Sequence, residues 1–215
     1  GTTGSIRQII ARARDKKIPI FNVNRKKLDA MASEKHQGVI AIAESFKYST
    51  IDEILDFARE KGESPFIIVL DEIEDAHNLG AIMRSALAAG AHGIIIKERR
   101  ACGVNEAVKK ASAGASLHMR VARVTNITRA IERVAAAGVW MYACDMGGTP
   151  YHRQSYDEGV ALVIGNEGRG ISPNVKKHCD FTVSIPMKND FNSLNASNAA
   201  AIIAFEVARQ RGFSN

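Results

Sequence analysis

The chain has 215 residues, of which 46% are hydrophobic and 24% charged, with a formal net charge of +6. That length can bury one substantial core with a smaller appendage, and the composition excludes a disordered or fibrous polymer. No apolar run approaches the roughly eighteen residues of a membrane span, and the basic, Ile-rich N-terminus lacks a signal-peptide core, so a cytoplasmic protein is expected.

Taken in chain order, the basic excess sits in front. Residues 1–47 carry ten bases against four acids, whereas 48–65 sum to −3 and 66–215 to +3. A front-loaded positive charge points to a polyanion such as RNA, because phosphate neutralisation with counterion release dominates nucleic-acid affinity; a solvated basic face is the alternative. Within this segment Ser5 to Lys16 reads as a helix with Ile6, Ile9, Ile10 and Ala13 on one face. Ile18 to Val23 reads as a strand, Arg25 to Ala32 as a second helix and Gly38 to Ala43 as a second strand. Thr50 then caps a helix with Asp52 and Glu53 in its first turn, and the breakers of Lys61-Gly-Glu-Ser-Pro65 mark a boundary.

From Phe66 onward strands and helices alternate. Strands are expected near 66–70, 93–96, 120–124, 139–143, 160–164 and 181–185, and helices near 78–89, 105–112, 126–137, 172–177 and 196–210. Apolar strands with no polar face argue for a mainly parallel sheet covered by helices on both sides, an α/β architecture. Cys102, Cys144 and Cys179 are single and widely spaced, which fits buried structural thiols better than a zinc or redox site.

Three segments carry polar residues where an apolar strand gives way to a helix, leaving backbone N–H groups free for a ligand. The first is Asp75-Ala-His-Asn-Leu-Gly-Ala-Ile-Met-Arg-Ser85. The second is Gly165-Asn-Glu-Gly-Arg-Gly170, running into Ser172 and Pro173, a good N-cap and first helical residue. The third is Ser184-Ile-Pro-Met-Lys-Asn-Asp-Phe-Asn-Ser-Leu-Asn-Ala-Ser197. Its G-x-x-G-x-G spacing is the reverse of the dinucleotide fingerprint, so the second segment is not read as a Rossmann NAD site. A tight structural turn is an open reading of it, although Glu167 and Arg169 between glycines are exposed and available. Similarly Ser193, Asn195 and Ser197 can cap the last helix, whose stripe is expected from Ala199, Ile202, Ile203 and Phe205, yet one helix does not need three caps. Asn78 and Arg84, by themselves, are equally a helix-start Asn and a solvated helical Arg.

In this order and at these intervals the three segments resemble the signature motifs of the SpoU (TrmH) family of RNA ribose 2′-O-methyltransferases, over essentially all of 66–215. Leu28 with Lys35-His-Gln-Gly-Val-Ile-Ala41 is similar to the end of the L30e-like RNA-binding domain of the family's ribosomal-RNA subgroup; the opening strand and helix of that domain have no counterpart in the sequence. The resemblance implies three regions: a partial L30e-like domain at 1–47, a linker helix and boundary at 48–65, and a catalytic domain at 66–215. It implies a SPOUT-type fold whose C-terminal segment forms a trefoil knot, an exception to the rule against threading.

The resemblance also implies S-adenosylmethionine as cofactor, with Gly165, Ile185 and Leu194 lining its pocket and Ile164, Asn166 and Met187 adjacent. Asn78, Arg84, Glu167, Ser193 and Asn195 match the family's polar active-site residues. A homodimer, no metal, and guanosine in large-subunit ribosomal RNA as the substrate follow by the same resemblance. Transfer RNA, or a non-catalytic RNA-binding role for the same fold, are the alternatives. Two positions depart from the family pattern, Asn189 and Asn198, where a glycine and a small aliphatic residue are usual. The chemistry would be in-line attack of a ribose 2′-hydroxyl on the sulfonium methyl. Arginine is the base in the family proposal, but a guanidinium ordinarily stays protonated, so Arg84 could instead hold RNA phosphate or polarise the 2′-oxygen.

Overall fold

A computed structural model describes residues 4–32, 36–42, 46–188 and 193–212. The chain divides into two compact units, Gly1–Ser45 and Phe46–Asn215.

In the first unit, helices α1 (Gly4–Asp15) and α2 (Arg25–Met31) form as the sequence expects, and the Asn24 side chain caps α2 by accepting the Lys27 N–H. His36 ties the unit's second half together: its Nδ1 accepts the Gly38 N–H at 2.9 Å, so Nε2 carries the proton and donates to Asp29 at 2.9 Å. The two expected strands are not found. Residues 18–23 and 38–42 are irregular, and Ile18, Ile20, Phe21 and Val23 are exposed. Period-two apolar spacing makes a strand only when a partner supplies the ladder, and among the described residues of this unit none does. Ala43 lies outside the described residues.

The second unit is a six-stranded sheet of order β3-β2-β1-β5-β4-β6, built from β1 (Phe66–Leu70), β2 (Gly93–Lys97), β3 (Arg120–Val124), β4 (Val139–Pro150), β5 (Gly159–Ile164) and β6 (Phe181–Ser184). Every pairing is parallel. Because side chains alternate across a strand, each strand feeds two cores. Phe66, Ile68, Leu70, Val160, Leu162 and Ile164 face one layer, formed with α4 (Ala76–Ala88), α5 (Glu106–Ala111) and α8 (Ala196–Arg211). Ile67, Val69, Ala161 and Val163 face the other, formed with α3 (Ile51–Glu60), α6 (Ile127–Ala135) and α7 (Pro173–Lys176). Sheet and helix positions from residue 50 onward agree with the sequence in type. No helix among the described residues is long and apolar enough to cross a membrane.

Helix starts are fixed locally. At α3 a capping box closes, Thr50 Oγ1 accepting the Glu53 N–H at 3.1 Å while Glu53 Oε2 accepts the Thr50 N–H at 2.6 Å. Asp75, Asn105, Asn126 and Asn195 cap α4, α5, α6 and α8 through their side chains.

Four details differ from expectation. The helix 51–60, assigned to a linker, buries Ile54, Leu55 and Ala58 in the second core and so belongs to the sheet-bearing unit. Ser172 holds the N-cap position of α7 but makes no side-chain cap bond; its N–H is instead taken by Asp71. The buried face of α8 runs through Ala200, Ile203, Ala204 and Val207, leaving Ile202 and Phe205 about 36% and 41% exposed. The three cysteines are free and half-buried rather than fully buried, yet burial pushes each thiol up, that of Cys179 to about 11.

Candidate active site

In an open parallel sheet, ligands collect beyond the carboxyl ends of the strands where the winding direction reverses. Here the reversal falls at β1, whose neighbours are β2 on one side and β5 on the other. The loops after β1, β5 and β6 are the three segments singled out in the sequence, and the sheet order brings them together. The expected strand 139–143 continues to Pro150, with an irregularity in its pairing with β6 between Cys144 and Thr149.

The loops after β5 and β6, with the irregular part of β4, line one cavity. Its floor and walls include Ile164, Gly165, Asn166, Ile185, Met187 and Leu194, together with Glu167 and Ser193. Thus all six positions expected at a cofactor pocket lie on one cavity. Ser184, at the start of the third segment, and Ala199 and Ile203 of the last helix also line it, as do Asp145 and Met146, which nothing in their local pattern sets apart from an ordinary strand end. The glycine at 165 is required sterically. A Cβ there would sit 2.2 Å from the carbonyl carbon of Gly170 and the nitrogen of Ile171, because the loop folds back on itself as an Asn166–Gly170 bridge. The tight-turn and ligand-loop readings are therefore compatible: the turn is what exposes Glu167.

At the cavity rim three polar residues close a triangle. Asn78, buried at the first turn of α4, donates through Nδ2 to Glu167 Oε1 at 2.7 Å. Asn195 donates through Nδ2 to Asn78 Oδ1 at 3.0 Å and also to Glu167 Oε1. Its Oδ1 is committed to the helix end, accepting the N–H of Ser197 at 2.9 Å and the Ser197 hydroxyl at 2.6 Å. One amide therefore both starts α8 and aims its NH2 group at Asn78 and Glu167. Among the described residues Glu167 Oε2 has no partner. Ser193 is exposed on the cavity wall and makes no cap bond.

Arg84 does not join this group. Six residues past Asn78 on a helix it is displaced by about 9 Å along the axis and turned by about 240°. It is exposed, and among the described residues it has neither an ion pair nor a hydrogen-bond partner. Asn198 is exposed, so a polar side chain in place of the usual small aliphatic one is accommodated there. Asn189 lies outside the described residues.

Comparison with known proteins fits this geometry. Residues 65–205 match the SpoU rRNA Methylase family, and residues 2–49 match the RNA 2′-O ribose methyltransferase substrate binding family. The chain belongs to the SpoU methylase family. It is 45% identical over 209 residues to YacO of Bacillus subtilis (strain 168), a TrmH family tRNA/rRNA methyltransferase, covering 97% of this chain and 84% of that protein. A TrmH family tRNA/rRNA methyltransferase of Staphylococcus aureus (strain MSSA476) is 41% identical over 207 residues, 96% of this chain and 84% of the relative. Among solved structures, the AdoMet-bound rRNA methyltransferase from Sinorhizobium meliloti superposes with a TM-score of 0.77 at 27% identity, over 95% of this chain and 77% of that one. AviRb from Streptomyces viridochromogenes, in complex with AdoMet, gives 0.64 at 34% identity, over 69% of this chain and 62% of that one.

Proposed function

We propose that this SpoU-family methyltransferase transfers a methyl group from S-adenosylmethionine to a ribose 2′-hydroxyl of ribosomal RNA, with guanosine in the large-subunit RNA as the target nucleoside. The observation that carries the reading is the convergence of Gly165, Asn166, Ile185, Met187 and Leu194 on one cavity with the Asn78–Glu167–Asn195 triangle at its rim. The lining suits the cofactor: Ile164, Ile185, Leu194 and Ala199 offer an apolar wall for a purine, while Glu167 offers a carboxylate to a cationic ligand and Asp145 a carboxylate already paired with Lys176. Bound adenosylmethionine supplies an electrophilic methyl whose departure leaves a neutral thioether, a displacement that calls for no metal.

The chain's own residues supply alignment. Asn78 and Asn195 fix Glu167 by two hydrogen bonds to one oxygen, leaving the other to receive a ribose hydroxyl or a guanidinium. Ser193 adds a hydroxyl at the rim. Arg84 holds the RNA phosphate or polarises the 2′-oxygen, and its distance from the triangle favours delivery from a second copy in a homodimer. Static light scattering is expected to give twice the 23.3 kDa chain mass; an active monomer would contradict that assembly.

Residues 66–215 form the catalytic domain in this reading, with the knot of the SPOUT fold holding the loops around the cofactor. The basic segment 1–47 serves as the RNA-binding domain of a cytoplasmic enzyme, which favours ribosomal over transfer RNA. Calorimetry is expected to show S-adenosylmethionine binding without added metal, and labelled-methyl transfer is expected on ribosomal RNA in preference to transfer RNA. No binding at high micromolar cofactor would leave a non-catalytic RNA-binding protein of the same fold.

A further inference from the structure

Glu72, the residue after β1, stands at φ +61, in the left-handed region that residues bearing a Cβ rarely occupy. Such a conformation persists only where surrounding contacts over-determine it. Here they do. The Glu72 carbonyl accepts from Asn166 Nδ2 at 2.9 Å. Its carboxylate accepts from Lys97 Nζ at 2.6 Å, pairs with Arg169 Nη2 at 3.1 Å, and lies 3.9 Å from Arg100. The Glu72 side chain is only 14% exposed and that of Lys97 20%, so this pair is screened less than an ordinary surface pair, whereas Arg169 and Arg100 reach it from the surface. The hydrogen bond from Lys97, reinforced by the charges of Lys97, Arg169 and Arg100, holds the carboxyl below its usual range, and it is ionised near neutrality.

What these contacts grip is the loop after β5. Asp71, immediately before, accepts the Ser172 N–H at 2.8 Å. Residues 71 and 72 therefore hold the loop near its start at Asn166, in its middle at Arg169 and at its end at Ser172. Between the first two grips sits Glu167, whose Oε1 must reach both Asn78 and Asn195. A carboxylate shifted by an ångström would lose one of those bonds, and misplacement on that scale is enough to cost about a hundredfold in rate.

We propose that Glu72 is a positioning residue: its carboxylate, tied to Arg169 and Lys97, sets the 165–170 loop so that Glu167 meets Asn78 and Asn195 while Gly165 forms part of the cavity wall. Its effect on catalysis rests on the reading of that cavity as the cofactor site. Nothing in the local sequence marks Glu72, because its partners lie 25 and 97 residues further along the chain.

The test compares Glu72→Gly with the parent chain. Glycine relieves the positive φ and removes the carboxylate, so a folding defect is not expected; Glu72→Gln, which keeps size and loses charge, guards against one. Hydrogen exchange should speed up at amides 166–170 while β1 and β5 stay protected, and cofactor affinity and kcat should each fall about tenfold with little change in the KM for RNA. Arg169→Ala should act in the same direction, and the double variant should be no worse than the poorer single one, as for residues acting through one contact. Unchanged exchange at 166–170 in Glu72→Gly, or independent additive losses, would overturn the proposal. If the parent binds no S-adenosylmethionine, the cofactor reading fails, and the exchange experiment still decides whether Glu72 holds the loop.

Discussion

Arg84→Ala is expected to lower methyl transfer by at least about a hundredfold, the scale of losing a transition-state donor or a general acid–base group, while cofactor affinity stays within about twofold of the parent. The split follows from position. Arg84 lies on α4 outside the cavity and is exposed, with no described partner, so its removal breaks no contact that shapes the cavity. It also buries nothing, so thermal stability should be unchanged. Arg84→Lys separates the two roles left for the arginine: a point charge that holds a phosphate is partly restored by lysine, whereas a planar fork aimed at the 2′-oxygen is not. Single-turnover rates measured beside calorimetric Kd values decide the matter. Parallel loss of rate and cofactor affinity would make Arg84 a residue of the cofactor pocket or the fold.

Gly165→Ala is expected to have the opposite signature, with cofactor affinity reduced about a hundredfold or more, equivalent to about 2.7 kcal/mol. The added methyl would lie 2.2 Å from backbone atoms of Gly170 and Ile171. Those atoms cannot retreat cheaply, since Asn166 N donates to Gly170 O at 3.0 Å and Gly170 N to Asn166 O at 2.8 Å. The loop must open, taking Glu167 from Asn78 and Asn195 as it does so. Gly170→Ala is the control. Its Cβ would meet open space, and only the φ of +66 penalises it, at about 1–2 kcal/mol. A Gly165→Ala protein that binds S-adenosylmethionine as tightly as the parent would show that the cavity does not depend on the loop's closure.

The two variants probe different levels of legibility. What is local can be read from the chain alone: the Thr50 and Asx caps, the double-sided apolar strands that demand helices on both faces, and the loops that follow β1, β5 and β6. Each of these depends on residues within a few positions of one another, so spacing and side-chain chemistry suffice. Pattern alone overreached where a partner was needed, as at residues 18–23, whose alternation has no ladder to join among the described residues. It overreached again on α8, where of the expected stripe Ile203 is buried but Ile202 and Phe205 are not, Ala200, Ala204 and Val207 taking their place.

Which polar residues meet depends on the order of the strands in the sheet. Asn78 and Glu167 are 89 residues apart, and Asn195 is a further 28 away; they touch because the order β1-β5-β4-β6 sets the ends of distant strands side by side. Arg84, by contrast, is parted from Asn78 by helix geometry alone, since six residues along α4 change both height and direction. Tertiary packing also gives Glu72 its role, because the energy that offsets a left-handed glutamate comes from Asn166 and Arg169, which no local pattern places beside it.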